Sequence, residues 1–285
     1  MLTIHGACEE YGLRENVPVA FALLTGKTME QYEAAFTSLV GHLKPKYVVC
    51  DFEAALQRTC REAFPHAAVS GCAFHWTSAV FKRLRTVGLS GLYGSMPEFK
   101  AWAKKLLALP YVPAASAAEL YSQLKGEYLA GHAGGQASLA HVRDARRLFA
   151  YLEAQWVGPK ARVPPAEWSV YGLPTRTSNA AEGYHNRLRV AAGHEAHPPL
   201  PRLVNILEKE ASKADAYAIS LSRGAAPRKR QQGEQRRCDK RVHSLWSQHQ
   251  QKLYTDRQLL EACAHAACDP YVDQDDALRC PDLDQ

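Results

Sequence analysis

Apolar and polar positions change their rhythm near residue 72. Before that point, short apolar runs alternate with helical periodicities. Residues 2–8 and 17–24 are apolar runs separated by EEYGLREN, a pattern that predicts an antiparallel hairpin. Thr28 and Gln31 have the spacing of a capping box. Behind them Tyr32, Ala35, Phe36, Leu39, Val40 and Leu43 recur at helical spacing. Pro45 separates that helix from an apolar run at 47–50. Phe52, Ala55, Leu56, Thr59, Cys60, Ala63 and Phe64 then share one face of a second helix. Pro65 ends it, and residues 67–72 read as another strand. The order β-β-α-β-α-β is that of an α/β module.

From residue 74 the pattern is helical, with helices predicted over 74–88, 97–109, 116–130 and 138–156. Glycines at 88 and 91, prolines at 110 and 113 and the glycine-rich stretch 131–135 break them. A loop over 157–177 leads to helices at about 179–192 and 201–216, and one more helical pattern covers 242–265. The domain reading is accordingly 1–72, the N-terminal part of an α/β core; 73–160, a helical insertion; and 161–220, the C-terminal part of the core. A basic linker at 221–241 and a last segment at 242–285, a helix with an acidic tail, complete it.

Charge changes this picture in two places. Residues 222–241, SRGAAPRKRQQGEQRRCDKR, hold eight Lys/Arg against two acids, while the tail DPYVDQDDALRCPDLDQ holds six Asp and one Arg. A concentrated basic stretch suits phosphate binding or nuclear import, and equally a solvated linker. The remaining composition, 46% hydrophobic and 22% charged, is that of an ordinary globular protein. No apolar run approaches the ~18 residues that a membrane helix needs, so no membrane association is expected. The N-terminus lacks the charge and apolar pattern of a signal peptide. Eight scattered cysteines suggest reduced thiols rather than a disulfide framework.

Four residues stand out for chemistry. Asp51 ends the apolar run KYVVC and precedes a helix. It reads either as an N-cap or as a carboxylate held at a strand's carboxyl end, where α/β sheets gather their sites. Glu182, in TSNAAEGYHNRL, is either the N3 residue of a box capped by Asn179 or a second acid. Cys72 and His75 form Cys-x-x-His, half of a zinc site at most, since structural zinc takes four ligands. An ordinary buried Cys beside a His fits as well. Trp168, Tyr171, Arg176 and Tyr184 could stack on or contact nucleic acid, although packing accounts for each.

Taken in order, LTIHG, VPVAFALLTGKTMEQYEAAFTSL, VVCDFEAALQRTCREAFP, GCAFHW, WSVYGLPTRTSNAAEGYHNRL and HEAHPPLPRLVNILEKE resemble the Mutator-like element (MULE) transposases. The resemblance spans about residues 2–210. It implies a ribonuclease H-like fold with an all-helical insertion and a helical C-terminal extension. It also implies a DDE site, in which three carboxylates bind two Mg²⁺ or Mn²⁺ ions for DNA cleavage and strand transfer. Asp51 matches the family's second acid, Glu182 the Glu of its Asn-x-x-Glu motif, and Cys72 and His75 its Cys-x-x-His, a candidate zinc or structural pair.

The family's first acid sits on a strand upstream of the segment matching LTIHG. Met1 precedes that segment by one residue, so the expectation is a core whose first strand is missing and a catalytically impaired chain. Glu9 and Glu10, in the hairpin turn, do not replace that acid. The alternative is a non-catalytic DNA-binding or regulatory protein of transposase origin; the third reading is a fragment without a stable fold. DNA is the implied partner and a homo-oligomer is compatible with the pattern. Arg228, Lys229, Arg230, Arg236 and Arg237 are candidates for DNA contact or nuclear import, and the nucleus is the expected location.

Overall fold

The computed structural model describes residues 1–10, 13–131, 139–195, 197–225 and 234–266. In chain order the elements are β1 (Leu2–Glu10), β2 (Leu13–Ala22), α1 (Met29–Val40), β3 (Tyr47–Cys50), α2 (Ala54–Ala63), β4 (Ala68–Gly71) and α3 (Ala73–Thr86). There follow α4 (Ser90–Ser95), α5 (Pro97–Leu107), α6 (Ala114–Leu129), α7 (Leu139–Leu152), α8 (Pro165–Trp168) and α9 (Asn179–Ala191). Last come α10 (Leu200–Ser222), α11 (Glu234–Gln250) and α12 (Asp256–Ala266). The protein is α/β and predominantly helical, with two small sheets of two strands each among the described residues, β1–β2 and β3–β4. The chain forms two compact units.

The first unit holds Met1–Pro45, Glu53–Ala67 and Thr177–Gln231. Its hairpin is antiparallel, with Leu2 opposite Ala22 and a register irregularity at Ile4/His5. The strands reach further toward the turn than the apolar runs predict, because main-chain pairing does not require apolar side chains. Phe36 of α1 meets Phe64 edge-on at 5.7 Å, and Tyr32, Leu56 and Cys60 are buried with them. The capping box does not form: the Thr28 side chain makes no cap bond to the backbone. Gln31 turns back instead, accepting from the Gly26 N–H at 2.5 Å and donating to Thr25 Oγ1 at 2.7 Å. Tyr184 and Leu188 of α9 and Leu207 of α10 form a small core with Phe21.

The second unit holds Lys46–Phe52, Ala68–Arg176 and Gln232–Gln285. The parallel pair β3–β4 adjoins a large helical core in which Trp76, Trp102 and Trp168 are fully buried. A buried indole N–H is usually hydrogen-bonded; that of Trp76 has no partner among the described residues, whereas three others do. Trp102 donates to the Leu124 carbonyl at 2.8 Å, Trp168 to Trp156 at 2.9 Å and Trp246 to Tyr111 at 2.7 Å. The helix over 138–156 leaves α-geometry before its end: α7 closes in a π-turn at Glu153–Val157, with the Gly158 N–H bonded to the Glu153 carbonyl at 3.0 Å. The single helix predicted over 242–265 is two. α11 starts at Glu234, inside the basic stretch, and Lys252 takes a left-handed conformation (φ 62°) between α11 and α12. The described cysteines, at 50, 60, 72, 238 and 263, are free thiols. Among the described residues no helix is long and apolar enough to cross a membrane.

Candidate functional site

Parallel pairing of β3 with β4 sets Cys50 opposite Gly71, and the Cys72 N–H donates to the Cys50 carbonyl at 2.8 Å. Both strands therefore finish at the same level. Asp51 leaves the end of β3 where Cys72, as N-cap, and the first turn of α3 leave the end of β4. That turn carries His75, whose Nδ1 lies 3.1 Å from Asp51 Oδ1. The His75 side chain is 11% exposed and that of Asp51 52%. One carboxylate oxygen is thus held against a nearly buried imidazole while the group remains open to solvent.

Asp51 is not the cap of the following helix. Glu53 occupies the N-cap position of α2, two residues later, and its side chain does not cap either. Its carboxylate instead accepts from the Tyr32 hydroxyl at 2.6 Å and pairs with Lys27 at 3.2 Å. Phe52 fixes the backbone next to Asp51. Its ring packs edge-on against Trp156 at 4.9 Å and lies so close to Gly71 that a Cβ there would overlap it. Gly71 is required by this close approach of a ring to the end of β4.

A hard divalent cation prefers carboxylate oxygen on a rigid support, and Asp51 answers that description. Cys72 has no exposed surface. Among the described residues, no three His, Cys, Asp or Glu side chains come together as a metal cluster. Asp51 and His75 therefore fit as part of a cation site and not as a complete one. Cys72 and His75 alone are two ligands short of the four that zinc takes.

Glu182 is the fourth residue of α9, and Ser178, not Asn179, stands at its N-cap position. The side chains of Asn179 and Glu182 lie outside the described residues. The helix itself is anchored in the first unit. The ring of Tyr184 stacks with Phe21 at 5.8 Å and meets His5 edge-on at 5.1 Å, and His185 Nε2 is 2.7 Å from Thr3 Oγ1. Arg187 lies over the Tyr184 ring at 4.5 Å and pairs with the buried Glu210 at 2.7 Å.

Arg176 is not placed for DNA contact. It is 4% exposed, donates to Tyr111 Oη at 3.0 Å, pairs with Asp239 at 2.5 Å and covers the Tyr111 ring. A guanidinium enclosed in this way presents no face to a phosphate; it ties α11 to the helical core. Burial pushes the nearby Cys263 thiol up to about 12 against the opposing pull of Arg176, which leaves an unreactive thiol at neutral pH. Trp168 is fully buried and Tyr184 nearly so, and Tyr171 Oη sits 2.6 Å from His249 Nδ1. All three are packing groups rather than stacking platforms.

Arg228, Lys229 and Arg230 lie outside the described residues, as does the Arg236 side chain, whereas Arg237 is exposed on α11. Sequence reasoning passed over two further exposed cations on the same helix, Lys240 and Arg241. Their spacing from Arg237 gave a signal: residues 237, 240, 241 and 244 lie on one face of a helix.

The family model of the MULE transposase domain matches residues 7–79. This segment runs from within β1 through β2, α1, β3, α2 and β4 into α3; it includes Asp51, Cys72 and His75 and ends before Glu182. No curated protein and no solved structure matches the chain.

Proposed function

We propose, taking the MULE transposase domain of residues 7–79 as the premise, that this protein is transposase-derived and that Asp51 is one metal-holding acid of a DDE arrangement on a ribonuclease H-like core. The observation that carries this reading is the 3.1 Å contact between Asp51 and His75 at adjoining strand ends, inside the matched segment. Glu182 is the Glu of that arrangement, on the resemblance of TSNAAEGYHNRL to the Asn-x-x-Glu motif. Bound divalent ions would activate the attacking oxygen and stabilise the leaving one.

The chain's own residues have simpler tasks. β3 and the Phe52 ring fix the position of Asp51, and His75 limits its rotation. Cys72 buries its thiol behind them and starts α3. The two acids assigned here, Asp51 and Glu182, would by themselves hold a second ion poorly, so in this reading DNA binding persists while strand transfer is lost. The exposed cations Arg237, Lys240 and Arg241 favour this binding role, with backbone phosphates as the contact.

A test uses the 285-residue chain with end-labelled duplex DNA and Mn²⁺ or Mg²⁺, resolved on a denaturing gel. Uncut DNA is the expected result. Cleaved or joined product that disappears in Asp51→Asn would overturn the impairment and restore a complete enzyme.

A further inference from the structure

α11 and α12 enclose an open cleft of about 530 Å³, lined by Lys240, Arg241, Ser244, Leu245, Ala262, His265 and Ala266. Its floor is apolar, from Leu245, Ala262 and Ala266. Its rim carries Lys240, Arg241 and His265, all exposed. The chemistry that fits such a surface is an acidic segment with interspersed apolar side chains, since bare phosphodiester backbone offers nothing to the floor.

The chain carries such a segment directly after the cleft. Ala266 lines it and is the last residue of α12, and the sequence continues as ACDPYVDQDDALRCPDLDQ. There six Asp face one Arg, with Tyr271, Val272 and Leu278 placed between the acids. We infer that residues 267–285 dock in this cleft, placing Asp carboxylates on Lys240 and Arg241 and apolar side chains on Leu245. Tethering at the cleft edge supports the contact. A short tether gives an effective concentration on the order of millimolar, and at ~3.3 Å per residue Asp269 and Asp273 are within reach of the rim. The tail then competes with nucleic acid for Lys240 and Arg241 and acts as an internal brake on the phosphate contacts proposed above. Docking itself does not depend on that reading.

Carbodiimide coupling of the full-length chain tests it, because the reagent joins a lysine to a carboxylate only in direct contact. Mass spectrometry should find Lys240 linked to an Asp between 269 and 276. That product should be lost at 1 M salt, where the screening length falls to about 3 Å. The Lys105–Glu127 pair, 2.9 Å apart within the folded core, reports that coupling and folding have succeeded. A Lys105–Glu127 product without any Lys240–tail product overturns the proposal. Replacing the six tail Asp by Asn should tighten duplex DNA binding severalfold. Unchanged affinity, with the Lys240–tail link present in the parent chain, overturns the brake. Absence of DNA binding in both chains would count against the DNA reading alone, with the crosslink deciding the docking.

Discussion

Glu210 illustrates how single side chains hold the first unit together. Only 6% of its side chain is exposed, and it pairs with Arg187 at 2.7 Å and Lys213 at 2.8 Å. Burial alone would raise its pKa. The hydrogen bond from Lys213 and the charges of Arg187 and Lys213 outweigh that and hold the carboxyl below its usual 4.5. A depressed carboxylate stabilises the folded state above its unfolded pKa, and that contribution is lost as pH falls through the folded value. Stability should therefore decline in acid as the pH drops below about 4.5, and the Glu210 part of that decline should vanish in Glu210→Gln. Urea unfolding at pH 7 should show a loss of roughly 1–3 kcal/mol for Glu210→Ala, because both cations lose a buried partner. Among the candidate residues, Asp51 was legible from the break between an apolar run and a helix, but its contact with His75 was not, because only the parallel pairing of β3 with β4 brings the two together. Arg176 was not legible. Its burial comes from Tyr111 and Asp239, which lie 65 and 63 residues away, and no local pattern announces such distant partners.

At the scale of elements, the junction of β3, β4 and α3 turns on Gly71 and Phe52. A methyl group at 71 would displace the Phe52 ring from its contact with Trp156 and move Asp51 away from His75. Gly71→Ala should cost about 1–3 kcal/mol, as overpacking does, and should alter the His75 side-chain resonances. An unchanged unfolding midpoint and unchanged His75 resonances would show that the junction tolerates the methyl. The strands and long helices of the chain were readable because periods of 2 and 3.6 follow directly from which faces are buried. Local patterns placed one cap and missed two: Thr28 stands at the N-cap position of α1 but makes no cap bond, and Glu53 and Ser178, not Asp51 and Asn179, take the N-cap positions of α2 and α9. Several polar residues at a helix start compete for that position, and contacts made elsewhere decide among them. The break between α11 and α12 escaped notice because apolar residues continue at helical spacing across it.

For the whole molecule, the α/β class and the change to helices beyond residue 72 follow from patterning. A ribonuclease H-like core is an extension supported by the family match and the motif order. The four strands pair as two separate two-stranded sheets among the described residues, so the wider sheet belongs to the proposal. The same holds for the DNA partner, which rests on the transposase domain and on cations exposed along α11. Those cations predict binding through phosphates, which releases counterions and weakens with salt in proportion to the contacts made. The most direct measurement is the affinity of the 285-residue chain for duplex DNA between 50 and 200 mM salt. Two to four phosphate contacts predict a loss of roughly 10- to 150-fold across that range. A flat salt response, or no binding at 50 mM, would contradict the account.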